Sequence, residues 1–164
     1  MTVVESTKDT ERLTLTIVTE LAAPPERVWA LFSDARQLER WWGPPGYPAT
    51  FTRHEFVVGG ESRYHMTGPD GEMPHGYWQI ERLDPPRRLG FKNGLGGPDG
   101  EPAPDIAPMQ CEISLEDGAP GTRMAVVSRF SSLAQMEQFL AMGMEEGMGL
   151  AISQIDELLA RSVV

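Results

Sequence analysis

From Leu13 to Leu21 the apolar residues Leu13, Leu15, Ile17 and Leu21 alternate with Thr14, Thr16, Val18 and Glu20, the period-two pattern of a half-buried strand. Met109, Cys111, Ile113 and Leu115 alternate in the same way with Gln110, Glu112, Ser114 and Glu116. Five further stretches read as strands: Ala49 to Phe56, Glu61 to Thr67, Gly76 to Leu83, Arg88 to Lys92 and Thr122 to Phe130. Turn residues separate them, at Gly59-Gly60, Gly68-Pro69-Asp70-Gly71, Asp84-Pro85-Pro86 and Asp117-Gly118-Ala119-Pro120-Gly121. Connections this short join antiparallel neighbours, because parallel pairing needs a long crossover.

Twice the period changes to that of a helix. Pro24 and Pro25 suit a helix start, and Val28, Leu31 and Phe32 then form one apolar stripe. Asp34 stands as the cap of a second short helix, with Gln37 three residues on in a variant of the capping box, and Gly43-Pro44-Pro45-Gly46 ends it. The second helical region runs from Ser132 to about Ala160, opened by Ser132 and Gln135, with Leu140, Met144, Met148, Ile152, Ile155 and Leu159 along one face. Uninterrupted, it would be about 40 Å long at 1.5 Å per residue. Gly143, Gly147 and Gly149 lie inside it, each costing roughly 1 kcal/mol relative to alanine. Two explanations stand: close packing on the sheet or a bend, or missing side chains that leave room for a ligand. The expected architecture is α+β, an antiparallel sheet of about six or seven strands with two short helices after the first strand and a long C-terminal helix.

At 164 residues the chain is long enough for one domain with its own core. A net charge of -10 argues against nucleic acid or anionic lipid as a partner, since neither finds a basic surface. Residues 1–11 are polar and read as a disordered N-terminal segment, without the apolar core of a signal peptide. No apolar run approaches the roughly 20 residues that span a bilayer, so the expected location is cytoplasmic.

Few residues point to catalysis. Cys111, the one cysteine, lies on an apolar strand face and reads as a small buried hydrophobe. His54, His65 and His75 lack metal-ligand spacing, and no metal or other cofactor is expected. Gly94-Leu95-Gly96-Gly97 lacks the strand-to-helix context of a phosphate loop, and no nucleophile elbow is visible. Aromatic residues interleaved with methionines instead suit an adaptable apolar pocket. Tyr64 and Met66 share one strand face and Arg63 and His65 the other, so only one pair can face inward; Tyr64 and Met66 are the expected pair. Residues 93–108 read as a proline- and glycine-rich loop, either a solvated hairpin extension or a lid, with an acidic tip at Asp99, Glu101 and Asp105.

The run PPERVWALFSDARQLERWWGPP, the Val58 to Arg63 turn into a strand, the Met66 to Gly71 hairpin and the ending MEQFLAMGMEEGMGLAISQIDELLA together resemble the bacterial branch of the AHSA1-like family. That family belongs to the START-like, or SRPBCC, superfamily and takes its name from the activator of the Hsp90 ATPase. The resemblance runs from about Leu13 to Ala160 and implies the helix-grip fold of Bet v 1-like proteins, a curved sheet around the C-terminal helix with a cavity between them. Residues 12–161 are then one AHSA1/START-like domain. One departure is Met148, where such sequences usually carry an aromatic residue. The candidate cavity residues are Trp29, Trp41, Trp42, Tyr64, Met66, Trp78, Phe91, Met109, Met144, Gly147 and Met148. The leading functional expectation is binding of a small hydrophobic or amphipathic molecule. The alternatives are an enzyme of cyclase, isomerase or hydrolase type, and a chaperone-accessory module; homodimerisation and a chaperone partner stay open.

Overall fold

The computed structural model describes residues 3–118 and 121–161. Eight strands form one sheet: β1 (Val3–Asp9), β2 (Thr14–Leu21), β3 (Ala49–His54), β4 (Glu61–Met66), β5 (His75–Asp84), β6 (Arg88–Gly96), β7 (Met109–Asp117) and β8 (Thr122–Arg129). Their order is β1-β2-β8-β7-β6-β5-β4-β3, with every neighbouring pair antiparallel. The helices α1 (Pro25–Ser33) and α2 (Ala35–Leu38) follow β2, and α3 (Leu133–Ala141), α4 (Met144–Ser153) and α5 (Ile155–Arg161) follow β8. The molecule has the α+β helix-grip fold. Start signals act as the sequence indicates: Asp34 Oδ1 accepts from the Arg36 amide at 2.9 Å, and Ser132 Oγ from the Gln135 amide at 3.0 Å.

Several expectations are corrected. Within the segment read as disordered, residues 3–9 form β1, while residues 1–2 lie outside the described residues. β1 has no apolar alternation because it is an edge strand held by backbone pairing to β2, and its charged side chains suit an exposed edge. The sheet therefore has eight strands, and the two short helices follow its second. The alternation starting at Leu13 begins one residue later, at Thr14, because Leu13 adopts a left-handed φ of 58° in the β1–β2 turn. Asp9 braces that turn through its carboxylate, which accepts from the amides of Glu11 and Arg12.

The long C-terminal helix is interrupted. Gly143 has φ +83°, a conformation that glycine adopts without the penalty of a Cβ, and it separates α3 from α4. A milder irregularity at Gln154 separates α4 from α5. Finally, β6 runs to Gly96, past the expected end at Lys92, so the long loop begins at residue 97.

The break at Gly143 divides the interior. α3 covers a small cluster of Leu15, Met109, Phe130, Met136 and Phe139. α5 and the end of α4 cover a larger one, in which Ile152, Ile155 and Leu159 meet Trp41, Phe51, Trp78, Phe91 and the inward faces of β7 and β8.

Candidate ligand-binding site

A cavity of about 350 Å³ lies at the seam between these two clusters. Met109 and Phe139 come to it from the small cluster; Trp41, Trp42, Tyr64, Met66, Ile113, Val126, Met148 and Ile152 come from the large one. Pro44, Pro74, Asn93, Leu95, Met142, Met144, Gly147 and Ala151 complete the wall. Its size is at the lower end of pockets that hold small molecules.

The sequence accounts for each side of this wall. Alternation along β4 turns Tyr64 and Met66 inward and sends Arg63 outward to Glu61 and Glu101. His65 is half-buried beside His75, with ring centroids 5.7 Å apart. The turn after α2 delivers Trp41 and Trp42 side by side. Trp41 is anchored by its Nε1 donating to the Leu31 carbonyl at 3.0 Å, and the Gln154 amide reaches the Gly43 carbonyl at 2.8 Å, fastening this turn to the helices. Gly147 faces the cavity from α4, where an added Cβ would meet nothing within 4 Å. Of the two explanations for this glycine, close packing is thus excluded.

Polar groups are sparse in the wall. The Tyr64 hydroxyl donates to Asn93 Oδ1 at 3.3 Å, and burial pushes that hydroxyl up to about 12 despite the opposing influence of the nearby Trp42 N–H. Trp42 Nε1 is itself buried without a hydrogen-bond partner among the described residues. Among the described residues, no carboxylate, histidine, lysine or arginine lines the cavity.

Eight of the eleven residues read as candidates from the sequence, Trp41, Trp42, Tyr64, Met66, Met109, Met144, Gly147 and Met148, meet at this wall. Three do not. Trp29 is half-buried and packs edge-on to Phe56, with ring centroids 5.7 Å apart, because α1 turns it toward the β3–β4 connection. Trp78 and Phe91 are stacked at 4.1 Å within the large cluster, one layer away from the void. Asn93 is not among those candidates because residues 93–108 read as a loop. The strand continues through it: a Cβ on Gly94 would come within 2.5 Å of the Tyr77 ring on the opposite face, so the glycine makes room for that ring. Once β6 is extended, the alternation Phe91, Asn93, Leu95 points Asn93 inward.

The other candidate chemistry lies elsewhere. Cys111 is buried, and desolvation pushes its thiol up to about 12, which leaves it protonated and unreactive. Residues 97–108 fold back on their own strands and on α3, with the Ala103 amide on the Leu95 carbonyl and Gln135 Nε2 on the Ala107 carbonyl, and none of them lines the cavity. A second, open cleft of about 710 Å³ runs past Arg36, Glu39, Arg40, the Gly43–Gly46 turn and Glu157. It is a charged surface groove, unlike the largely apolar concavity that holds small organic ligands. Among the described residues no group of three metal-ligating side chains is gathered, and no helix is long and apolar enough to cross a membrane.

The model of the activator of Hsp90 ATPase homolog 1-like proteins matches residues 22–160. The chain belongs to this AHSA1-like family. Among solved structures, an AHSA1-like fold closely similar to this one is seen in a protein from Arthrobacter aurescens, at 46% identity and TM-score 0.94, covering 99% of this chain and 94% of that one. A protein from Mycobacterium smegmatis is similar at 41% identity and TM-score 0.89, covering 96% of each chain. A Rhodobacter sphaeroides protein at 23% identity and TM-score 0.82, covering 96% of this chain and 98% of that one, shares the fold. No curated protein matches the chain.

Proposed function

We propose that this AHSA1-like protein binds a small apolar or amphipathic molecule in the cavity between the sheet and α4. The observation that carries this reading is the wall itself: a 350 Å³ void bounded by aromatic rings, methionines and Gly147, with the Tyr64–Asn93 pair as its polar feature. Five flexible methionines on such a wall, Met66, Met109, Met142, Met144 and Met148, let it adjust to a ligand's shape.

Catalysis by cyclase, isomerase or hydrolase chemistry finds less support. A general acid or base needs a pKa near the working pH, and the Tyr64 hydroxyl at about 12 is far from it. The chaperone-accessory reading rests on the family's description. The exposed large apolar residues Val57, Val58, Met73, Leu133, Met142 and Leu150 come from different turns and helices.

The test is native mass spectrometry of freshly purified protein, with titration of the neutral probe N-phenylnaphthylamine followed through tryptophan fluorescence. A retained small molecule, or probe binding that quenches fluorescence and is weakened in Trp42→Phe, supports the reading. A bare polypeptide mass together with no probe binding overturns it.

A further inference from the structure

Building on the binding function proposed above, we infer that the ligand is uncharged and places a hydrogen-bond-accepting oxygen, a ketone or ester carbonyl, against the Asn93 side-chain amide. Asn93 is 93% buried, being only 7% exposed, and lies on the cavity wall. Its Oδ1 accepts from the Tyr64 hydroxyl, but its amide nitrogen has no hydrogen-bond partner among the described residues. Among the described residues the polar side-chain atoms both sealed from solvent and unpaired are Thr19 Oγ1, Trp42 Nε1, Trp78 Nε1 and Ser128 Oγ, and the Asn93 nitrogen is not one of them. It therefore opens onto the void its own side chain borders. A buried donor left in this position costs free energy that a matching acceptor recovers.

The orientation of the amide follows from its neighbours. The Tyr64 O–H donates to Oδ1 at 3.3 Å, so the amide oxygen is turned to Tyr64 and the amide nitrogen away from it. Tyr64 is thus a positioning residue that turns the two N–H groups of Asn93 toward the ligand. Counted together, the site has surplus donors, which selects an acceptor. Charge selects against ions. Among the described residues no charged side chain lines the cavity to pair with a cation or an anion, and the protein's net charge of -10 further disfavours an anion.

Three probes of one size separate the possibilities: methyl β-naphthyl ketone, its hydrocarbon isostere β-isopropenylnaphthalene, and β-naphthoate. Affinities are measured by calorimetry on the full chain, alongside the Asn93 side-chain amide resonance. The ketone is expected to bind roughly tenfold more tightly than the hydrocarbon, the worth of one net hydrogen bond, and naphthoate most weakly. Asn93→Leu should erase the ketone's advantage while hydrocarbon binding persists, and Tyr64→Phe should reduce it. Should Asn93→Leu fail to fold, the wild-type ratio and a ketone-specific shift of the Asn93 amide still decide. Equal binding of ketone and hydrocarbon, or preference for naphthoate, overturns this inference and leaves the binding function standing. Failure of all three probes overturns this inference, and together with a bare polypeptide mass it overturns the binding function too.

Discussion

The two regions of the interior differ in how completely they are filled, although one sheet supports both. Below α1, α2 and α5 the large cluster is dense with rings: Trp78 stacks on Phe91 at 4.1 Å, Phe51 on Tyr64 at 4.9 Å, and Phe32 meets Trp41 edge-on at 5.1 Å. Phe32, Trp41 and Trp78 are at most 2% exposed. Below α4 the faces of Trp41, Trp42 and Tyr64 meet methionines, Met109, Met144 and Met148 among them, the helix presents Gly147 in place of a side chain, and a void remains. Rigid rings interlock and close gaps; thioethers and a bare glycine do not. The break at Gly143 sets where the change occurs, because it lets α3 and α4 lean on different clusters and leaves the seam between them open.

The largest expected effect tests whether the ring cluster is the stable half. Trp78→Ala should cost about 3–5 kcal/mol in urea unfolding, by loss of transferred surface and creation of a cavity. Met148→Ala, at a half-buried position already bordering a void, should cost about 1 kcal/mol, since many of its contacts are already missing. Equal costs would erase the distinction between the regions.

Next comes Gly147→Leu, which acts on the open half alone. With no atom within 4 Å of its Cβ, the new side chain enters the void, and helix propensity favours it by roughly 0.5–1 kcal/mol. Thermal melts should show unchanged or higher stability, while binding of N-phenylnaphthylamine is lost. Destabilisation by more than about 1 kcal/mol would mean that α4 packs against the sheet after all, as overpacking does.

The aromatic half was more legible in the sequence than the open half. Strand alternation and the Trp41-Trp42 pair locate rings directly, because burial of large apolar groups is what the period reports. The void depends on details that periodicity does not carry. Gly143, Gly147 and Gly149 look alike in the sequence, yet Gly143 breaks the helix while Gly147 faces the cavity. Asn93 lies in the stretch that reads as a loop, beside Gly94, whose missing side chain serves Tyr77 on the far face. β1 carried no apolar signal, since backbone pairing and the reach of Ser6 and Lys8 to Glu145 on α4 hold it.

That last contact supplies a smaller test, at the helix that roofs the open half. Glu145→Gln keeps an acceptor for the Ser6 hydroxyl, which donates at 2.6 Å, but removes the charge paired with Lys8 at 3.2 Å. Both groups are partly exposed, so global stability should change by less than about 0.5 kcal/mol. Amide exchange in α4 should nonetheless quicken relative to α1. Unchanged exchange in α4 would show that β1 does not restrain the roof.

The final prediction concerns His54, which ties the ring-filled half to α1 and gives that half a pH dependence. His54 Nε2 donates to the Phe32 carbonyl at 2.8 Å, which fixes the tautomer and leaves Nδ1 to accept from the Ser62 hydroxyl at 2.8 Å. Neutral imidazole is thereby satisfied at both nitrogens. Burial lowers its pKa below the ordinary 6.5, outweighing the opposite pull of the Phe32 carbonyl and of Asp34. Because the folded-state pKa is the lower one, the unfolded chain takes up its proton first as pH falls. The contribution is intact above the unfolded value, is lost as pH drops through 6.5 toward the folded value, and changes no further below that. Urea unfolding of the wild type from pH 8 to pH 5 should therefore show a decline that is smaller in His54→Gln, while the probe affinity of the open half stays constant over the same range. A variant declining as steeply as the wild type would remove His54 as the cause, and a parallel loss of probe affinity would show that the two halves are coupled through α1.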